Sequence, residues 1–254
     1  MKKNGFDSKI KQNFREDGFI ILREFVSKEQ IEKIQREFDR YVEKITPKVK
    51  RGDVFYEELG NAGTLKQLHN MFEYDEFFFQ LVNNKRFIEL AEFLLDDPVQ
   101  VFDLEWFNKP PKIGLESPPH QDNYYFQLQP PKALTMWLAM DLVNEENGCV
   151  RYIPGSNLLP LREHYHRTDR VGFSQGIVDY GEEDSKNEVP AYVKPGDVII
   201  HDCRTIHRAN SNQSDKNRRA FGFIYRSQNA KQNKELLEKI RENVLEDWEK
   251  LGKM

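Results

Sequence analysis

Between residues 98 and 228 the chain is written in short segments rich in valine, isoleucine and aromatic residues, among them VQVFDLEWF, ALTMWLAMDLV, GCVRYIP, AYVKPGDVIIHD and RAFGFIYR. Proline, glycine or a polar cluster closes each one. Many short strands with such punctuation suggest an antiparallel sandwich or barrel. No repeat of 20–50 residues recurs along the chain, which argues against a solenoid or propeller.

The flanks read differently. Ser27 is followed three residues later by Gln30, and Val26 can pack against Ile31, the signature of a capping box with a hydrophobic staple. Ile31, Ile34, Phe38, Val42 and Ile45 then fall on one stripe, so the spacing predicts an amphipathic helix near 28–45. Residues 75–96 read as two further helices, and 229–251 as a closing helix with Leu236, Leu237, Ile240, Val244, Trp248 and Leu251 on one face. No low-complexity linker divides these parts. We therefore expect a single domain over 1–254, with a helical part at 1–97, a strand-rich core at 98–228 and a C-terminal helix at 229–254. The stretch 155–190, with Gly172, Gly176, Gly181 and the acidic run GEEDS, is long for a connection inside a compact unit and reads as a mobile lid or binding loop.

Composition narrows the function. Eighteen Phe, 10 Tyr and 3 Trp supply a core, and a net charge of −4 without a basic block argues against nucleic acid as partner. No apolar run approaches the roughly 18 residues of a membrane span. The start lacks the apolar stretch of a signal peptide. Cys149 and Cys203 form no metal-type spacing, and so few cysteines suit a reducing compartment. A cytoplasmic protein without membrane contact is expected, its oligomeric state open.

His120-Gln121-Asp122 opens a strand-like segment, where residues i and i+2 share a face. One metal could bridge them. With a distant second imidazole they would form a two-histidine, one-carboxylate facial triad, which leaves three positions open on a six-coordinate Fe(II). His-x-Asp also arises often by chance at solvated strand starts.

The surrounding pattern resembles the phytanoyl-CoA dioxygenase family of Fe(II)- and 2-oxoglutarate-dependent oxygenases. The resemblance runs through DGFIILREFVSKEQI at 17–31, NKPP at 108–111, HQDNYYF at 120–126, NGCVRYIPGS at 147–156 and PGDVIIHDCRTIH at 195–207, and ends at Arg218, eleven residues beyond the last histidine. It implies a mainly β fold with flanking helices, a double-stranded β-helix of the cupin-like jelly-roll type with its core at 98–228. It also implies Fe(II), 2-oxoglutarate and O2 as reactants. Of the two candidates for the third ligand, the family pattern selects His207, so the implied metal and catalytic set is His120, Asp122 and His207. His201 is left as a hydrogen-bonded core histidine. His164 and His166 have the spacing for a second metal site but no third partner. His69 is expected to line the cavity.

Charge supports Arg218 independently. An Fe(II) ion ligated by one aspartate keeps a single positive charge while 2-oxoglutarate brings two negative ones, so its distal carboxylate needs a cation in a buried pocket. Arginine offers a planar fork with two parallel hydrogen bonds and keeps its proton. Arg219 is expected on the opposite face, exposed to solvent. The resemblance further implies that Lys66, Gln121 and Trp137 reach or line the cosubstrate, though Trp137 could equally be core. Two departures stand out. Ala209 replaces a small hydroxyl residue, and Glu105 stands where the family often has methionine, either pairing with Lys66 or facing elsewhere.

The expected function is hydroxylation of a small molecule, with 2-oxoglutarate converted to succinate and CO2. Asp122 stands where related halogenases have a small residue, which favours hydroxylation, although substrate position could also give desaturation or ring closure. Tyr124, Tyr125, Phe126 and Phe173 could form an apolar pocket, and Arg151, Arg162, Arg167 and Arg170 could receive an anionic group. Two other readings remain: a catalytically silent cupin-like metal-binding module, and an oxygenase acting on a protein.

Overall fold

The computed structural model describes residues 2–3, 6–58, 60–166, 175–238, 242 and 246. The strands that build its two larger sheets are, in chain order, β1 (Phe19–Leu22), β2 (Val54–Tyr56), β3 (Leu65–Leu68), β4 (Val99–Lys109), β5 (Ser117–His120), β6 (Ala133–Ala139), β7 (Val150–Tyr152), β8 (Val189–Ala191), β9 (Val198–Asp202), β10 (His207–Ala209) and β11 (Arg218–Ser227). A seven-stranded sheet runs β1-β9-β6-β11-β4-β3-β2, and a four-stranded sheet runs β8-β7-β10-β5, with every neighbouring pair antiparallel. This is the jelly-roll arrangement of a double-stranded β-helix.

Both faces of the large sheet are covered, which is why its central strands read as nearly continuous apolar runs. Alternation along β6 sends Leu134, Met136 and Leu138 to one face, where Phe221, Phe223 and Tyr225 of β11 join them in the main core. Helices α1 (Ser8–Asp17), α2 (Lys28–Lys44), α3 (Glu76–Val82) and α4 (Lys85–Leu95) contribute residues to that core. The opposite face carries Thr135 and Trp137 of β6, and it looks into the space between the sheets.

The N-terminal helices form where their signals lie. Ser27 Oγ accepts the Gln30 N–H at 3.3 Å while Gln30 Oε1 accepts the Ser27 N–H at 3.0 Å. On α2 the buried residues are Ile31, Ile34, Phe38 and Tyr41, whereas Val42 and Ile45 are only half-buried at the core edge. Asp75 and Asn84 cap α3 and α4.

Two expectations change. The region from 229 is not helical throughout: Lys231–Gln232 pairs with Leu128–Gln129, and among the described residues helix is continuous only over 234–238. Ile240, Val244, Trp248 and Leu251 lie outside the described residues, as do Arg167, Arg170, Gly172 and Phe173. The described parts of 155–190 are tied down. His164–His166 pairs with Gln175–Ile177, and Arg162 reaches Asp179 and Asp184, each at 2.8 Å. No described helix is long and apolar enough to cross a membrane.

Candidate active site

His120 ends β5 and His207 opens β10, and the two lie directly opposite in the antiparallel register. Asp122 is not a strand residue. It takes α-helical backbone angles at the head of the single turn Asn123–Phe126, so the reason given for its meeting His120, alternation along one strand, does not hold. The turn itself delivers the carboxylate. Asp122 Oδ1 stands 3.6 Å from His120 Nε2 and 3.5 Å from His207 Nε2.

The far ring nitrogens settle what those near ones offer. His120 Nδ1 lies 2.7 Å from the Pro118 carbonyl and His207 Nδ1 lies 3.0 Å from the Thr205 carbonyl. A carbonyl can only accept, so each Nδ1 carries a proton, which leaves Nε2 as the nitrogen of each ring that a metal would take. Burial, with repulsion from His120 and His201, drives His207 well below the ordinary histidine range. Burial alone would raise Asp122, yet the surrounding imidazoles, His207 foremost and then His120 and His201, hold its carboxyl well below the usual range. Two imidazoles that turn Nε2 inwards and one ionised carboxylate make a donor set suited to a divalent cation.

Sequence reasoning missed how Asp122 is held. Its second oxygen, Oδ2, accepts the Thr135 hydroxyl at 2.8 Å and lies 3.0 Å from His201 Nε2. His201 Nδ1 in turn sits 3.0 Å from the Tyr152 hydroxyl. His201 is therefore a buried histidine set against the triad, where it orients the aspartate. The alternation of β6 could have found Thr135, two residues before Trp137 on the same face.

Arg218 opens β11 on the cavity face and is only 4% exposed. Its guanidinium carbon lies 5.1 Å from the Trp137 ring centre, its Nε is buried without a hydrogen-bond partner, and among the described residues no carboxylate lies within ion-pair distance. Burial pulls this arginine down to about 10. Arg219 faces the other way, as expected, but is paired with Asp141 at 2.8 Å rather than simply solvated.

Trp137 lines the cavity; two other expected cosubstrate residues point elsewhere. Lys66 is nearly buried in an ion pair with Glu57 at 3.1 Å and does not line the cavity. Gln121 donates to the Arg204 carbonyl at 2.6 Å and accepts the Arg162 N–H at 2.9 Å, which turns its amide into the loops behind the triad. Glu105 does not pair with Lys66; it meets His69 at 3.0 Å. His164 is structural: its Nε2 accepts the Gln121 N–H at 3.1 Å, its ring stacks on Tyr124, and burial pulls it down to about 4. The triad, Arg218 and Trp137 share one cavity of about 560 Å³, within the usual range for small-molecule sites.

The family model for phytanoyl-CoA dioxygenase (PhyH) matches residues 14–220. The chain belongs to the phytanoyl-CoA dioxygenase family. It is 25% identical over 230 residues to the peroxisomal phytanoyl-CoA dioxygenase of Rattus norvegicus, covering 86% of this chain and 68% of that one. It is 27% identical over 255 residues to phytanoyl-CoA dioxygenase domain-containing protein 1 of Bos taurus, covering 84% and 87%. Among solved structures, EvdO2 from Micromonospora carbonacea var. aurantiaca, complexed with 2-oxoglutarate, superposes with a TM-score of 0.71 at 25% identity, covering 89% of this chain and 93% of that one. The protein is thus a 2-oxoglutarate-dependent dioxygenase, an enzyme that works with iron, 2-oxoglutarate and O2.

Proposed function

We propose that the protein hydroxylates a small molecule while 2-oxoglutarate is converted to succinate and CO2, with the whole of 1–254 acting as one catalytic domain. His120, Asp122 and His207 would hold Fe(II), and Arg218 would receive the distal carboxylate of 2-oxoglutarate against the face of Trp137. The observation that carries this reading is the unpartnered, buried guanidinium on the triad's own cavity wall. A buried arginine without a carboxylate is costly, and a dianionic cosubstrate supplies one. A catalytically silent metal-binding module would have no use for that cation.

Bound iron with 2-oxoglutarate and O2 supplies the oxidising power for attack on an unactivated C–H bond. This chain's residues do the rest. The backbone carbonyls of Pro118 and Thr205 fix the imidazole tautomers. Thr135 and His201 hold Asp122 Oδ2, which leaves Oδ1 for the metal. Tyr124 and Tyr125 line the cavity, and the Tyr125 hydroxyl bonds the backbone of Gln175 in the covering hairpin, 3.0 Å from its nitrogen. This cover supports exclusion of water from the reacting centre. We further propose a cytoplasmic setting, on the two free and buried cysteines. The test of function is succinate formation from 2-oxoglutarate by the iron-loaded enzyme across a metabolite panel. Substrate-dependent succinate with an equal yield of hydroxylated product is the expected result, and substrate turnover independent of 2-oxoglutarate would overturn the reading.

A further inference from the structure

The cavity wall also carries a second charged group, which the iron chemistry does not use. On β4, Asp103 and Glu105 alternate onto the cavity face, and His69, just beyond β3, lies between them. His69 Nδ1 is 3.0 Å from Glu105 Oε1 and 3.8 Å from Asp103 Oδ2. Asp103 Oδ1 is already occupied by the Asn70 N–H at 2.8 Å. Burial opposes a charge on His69, yet Glu105 and Asp103 overcome it and push the imidazole up to about 10. Burial pushes the Glu105 carboxyl up to about 7 against the pull of His69, so one imidazolium between two carboxylates leaves this wall a net charge of −1 once Glu105 is ionised, which an approaching cation favours. Among the described residues His69 is the cation within ion-pair distance of Glu105, while Lys50 near the same cavity is drawn to Asp53 at 3.3 Å.

Strand register places this group across the sheet from the residues beside the triad. Across the large sheet Thr135 faces Ile224, which faces Asp103, and Trp137 faces Gly222, which faces Glu105. Two strand spacings, about 10 Å, therefore separate the backbones of Asp103 and Thr135, and likewise those of Glu105 and Trp137. Thr135 is the residue that bonds Asp122. Between the two ends the floor is Ile224 and Gly222, and at Gly222 a Cβ would come within 2.8 Å of the Phe107 ring, so that ring lies directly over bare backbone. An apolar strip thus joins an anionic end to the triad.

We propose that Glu105, supported by His69 and Asp103, anchors a cationic nitrogen of the substrate, so that the enzyme oxidises small amines whose ammonium group is held across the cavity from the reacting carbon. The proposal rests on the reading of this cavity as the iron and 2-oxoglutarate site. A second metal is the poorer occupant, because His69 Nδ1 carries the proton bonded to Glu105 and a metal needs a free imidazole lone pair. A carboxylate beside aromatic rings suits an ammonium ion through both charge and cation–π attraction.

The experiment is calorimetric titration of the anaerobic Fe(II)- and 2-oxoglutarate-loaded enzyme with n-octylammonium, 1-octanol and octanoate. Octylammonium should bind at least tenfold more tightly than either analogue. Glu105→Gln should cut that affinity tenfold or more, and Glu105→Met should reverse the preference towards octanol. The visible charge-transfer band of bound 2-oxoglutarate, recorded on every sample, separates the two levels. If wild type lacks the band, the reading of the iron site fails. If the band is present but wild type does not prefer octylammonium, or Glu105→Gln binds it as well as wild type does, the subsite is wrong. A second equivalent of Mn(II) bound by wild type and lost in Glu105→Gln would also overturn it, by making the cluster a metal site.

Discussion

Replacing Arg218 by methionine separates what this residue does for folding from what it does for 2-oxoglutarate. Burial pulls the guanidinium down to about 10, which amounts to about 3 kcal/mol against its charged form. The sign follows directly. The folded value lies below the unfolded one, so charge on Arg218 opposes folding at every pH below about 10, and the whole cost is present at neutral pH. Methionine keeps an apolar stem against Trp137 and removes the charge. Without cosubstrate the variant should therefore be more stable than wild type, by up to about 3 kcal/mol in urea unfolding. With Fe(II) and 2-oxoglutarate that advantage should be largely offset. Loss of a charge-assisted partner to a buried carboxylate costs about 2–4 kcal/mol, or about 30- to 700-fold in 2-oxoglutarate affinity. Anaerobic titration of the charge-transfer band measures the second quantity. Arg219→Ala, which breaks only the pair with Asp141, should leave it unchanged. A 2-oxoglutarate affinity within threefold of wild type, or an Arg218→Met apo protein less stable than wild type, would refute the reasoning.

Three further outcomes follow from the geometry. His120→Ala, Asp122→Ala and His207→Ala should each abolish the 2-oxoglutarate charge-transfer band, as each removes one of three metal donors. Thr135→Val and His201→Ala each delete one of the two bonds to Asp122 Oδ2 and should weaken Fe(II) binding about 10- to 100-fold, read by competition with a chelator. Arg162→Ala unties Asp179 and Asp184, ion pairs together worth about 1 kcal/mol, so limited proteolysis near Lys186 should speed up about fivefold while circular dichroism stays unchanged.

How far the sequence could be read depended on how local each cause was. The α2 cap and the two helices of 75–96 are set by neighbours three or four residues away, and there reading and structure agree in all but the edge positions. The jelly roll was legible as texture, and its specific topology through the family resemblance. At the site, His120 and Asp122 meet for a different local reason than alternation, because the chain leaves β5 for a helical turn between them. Long polar side chains were the least legible. Lys66 and Gln121 occupy the expected positions, but Glu57, Arg204 and Arg162, far away in sequence and marked by no motif, determine where their heads go. The same holds for Glu105, whose partner His69 stands 36 residues earlier across β3 and β4. The 155–190 segment looked like a free lid because its ties run from Arg162 to acids at 179 and 184, some 20 residues on and marked by no motif.

The most direct measurement is an anaerobic titration of the purified apo protein with Fe(II) and then 2-oxoglutarate, in wild type and His207→Ala. One Fe(II) per chain and a visible charge-transfer band are expected in wild type, with neither band nor tight iron binding in His207→Ala. A full band in His207→Ala, or a wild type that binds iron but gives no band at saturating 2-oxoglutarate, would contradict the triad assignment.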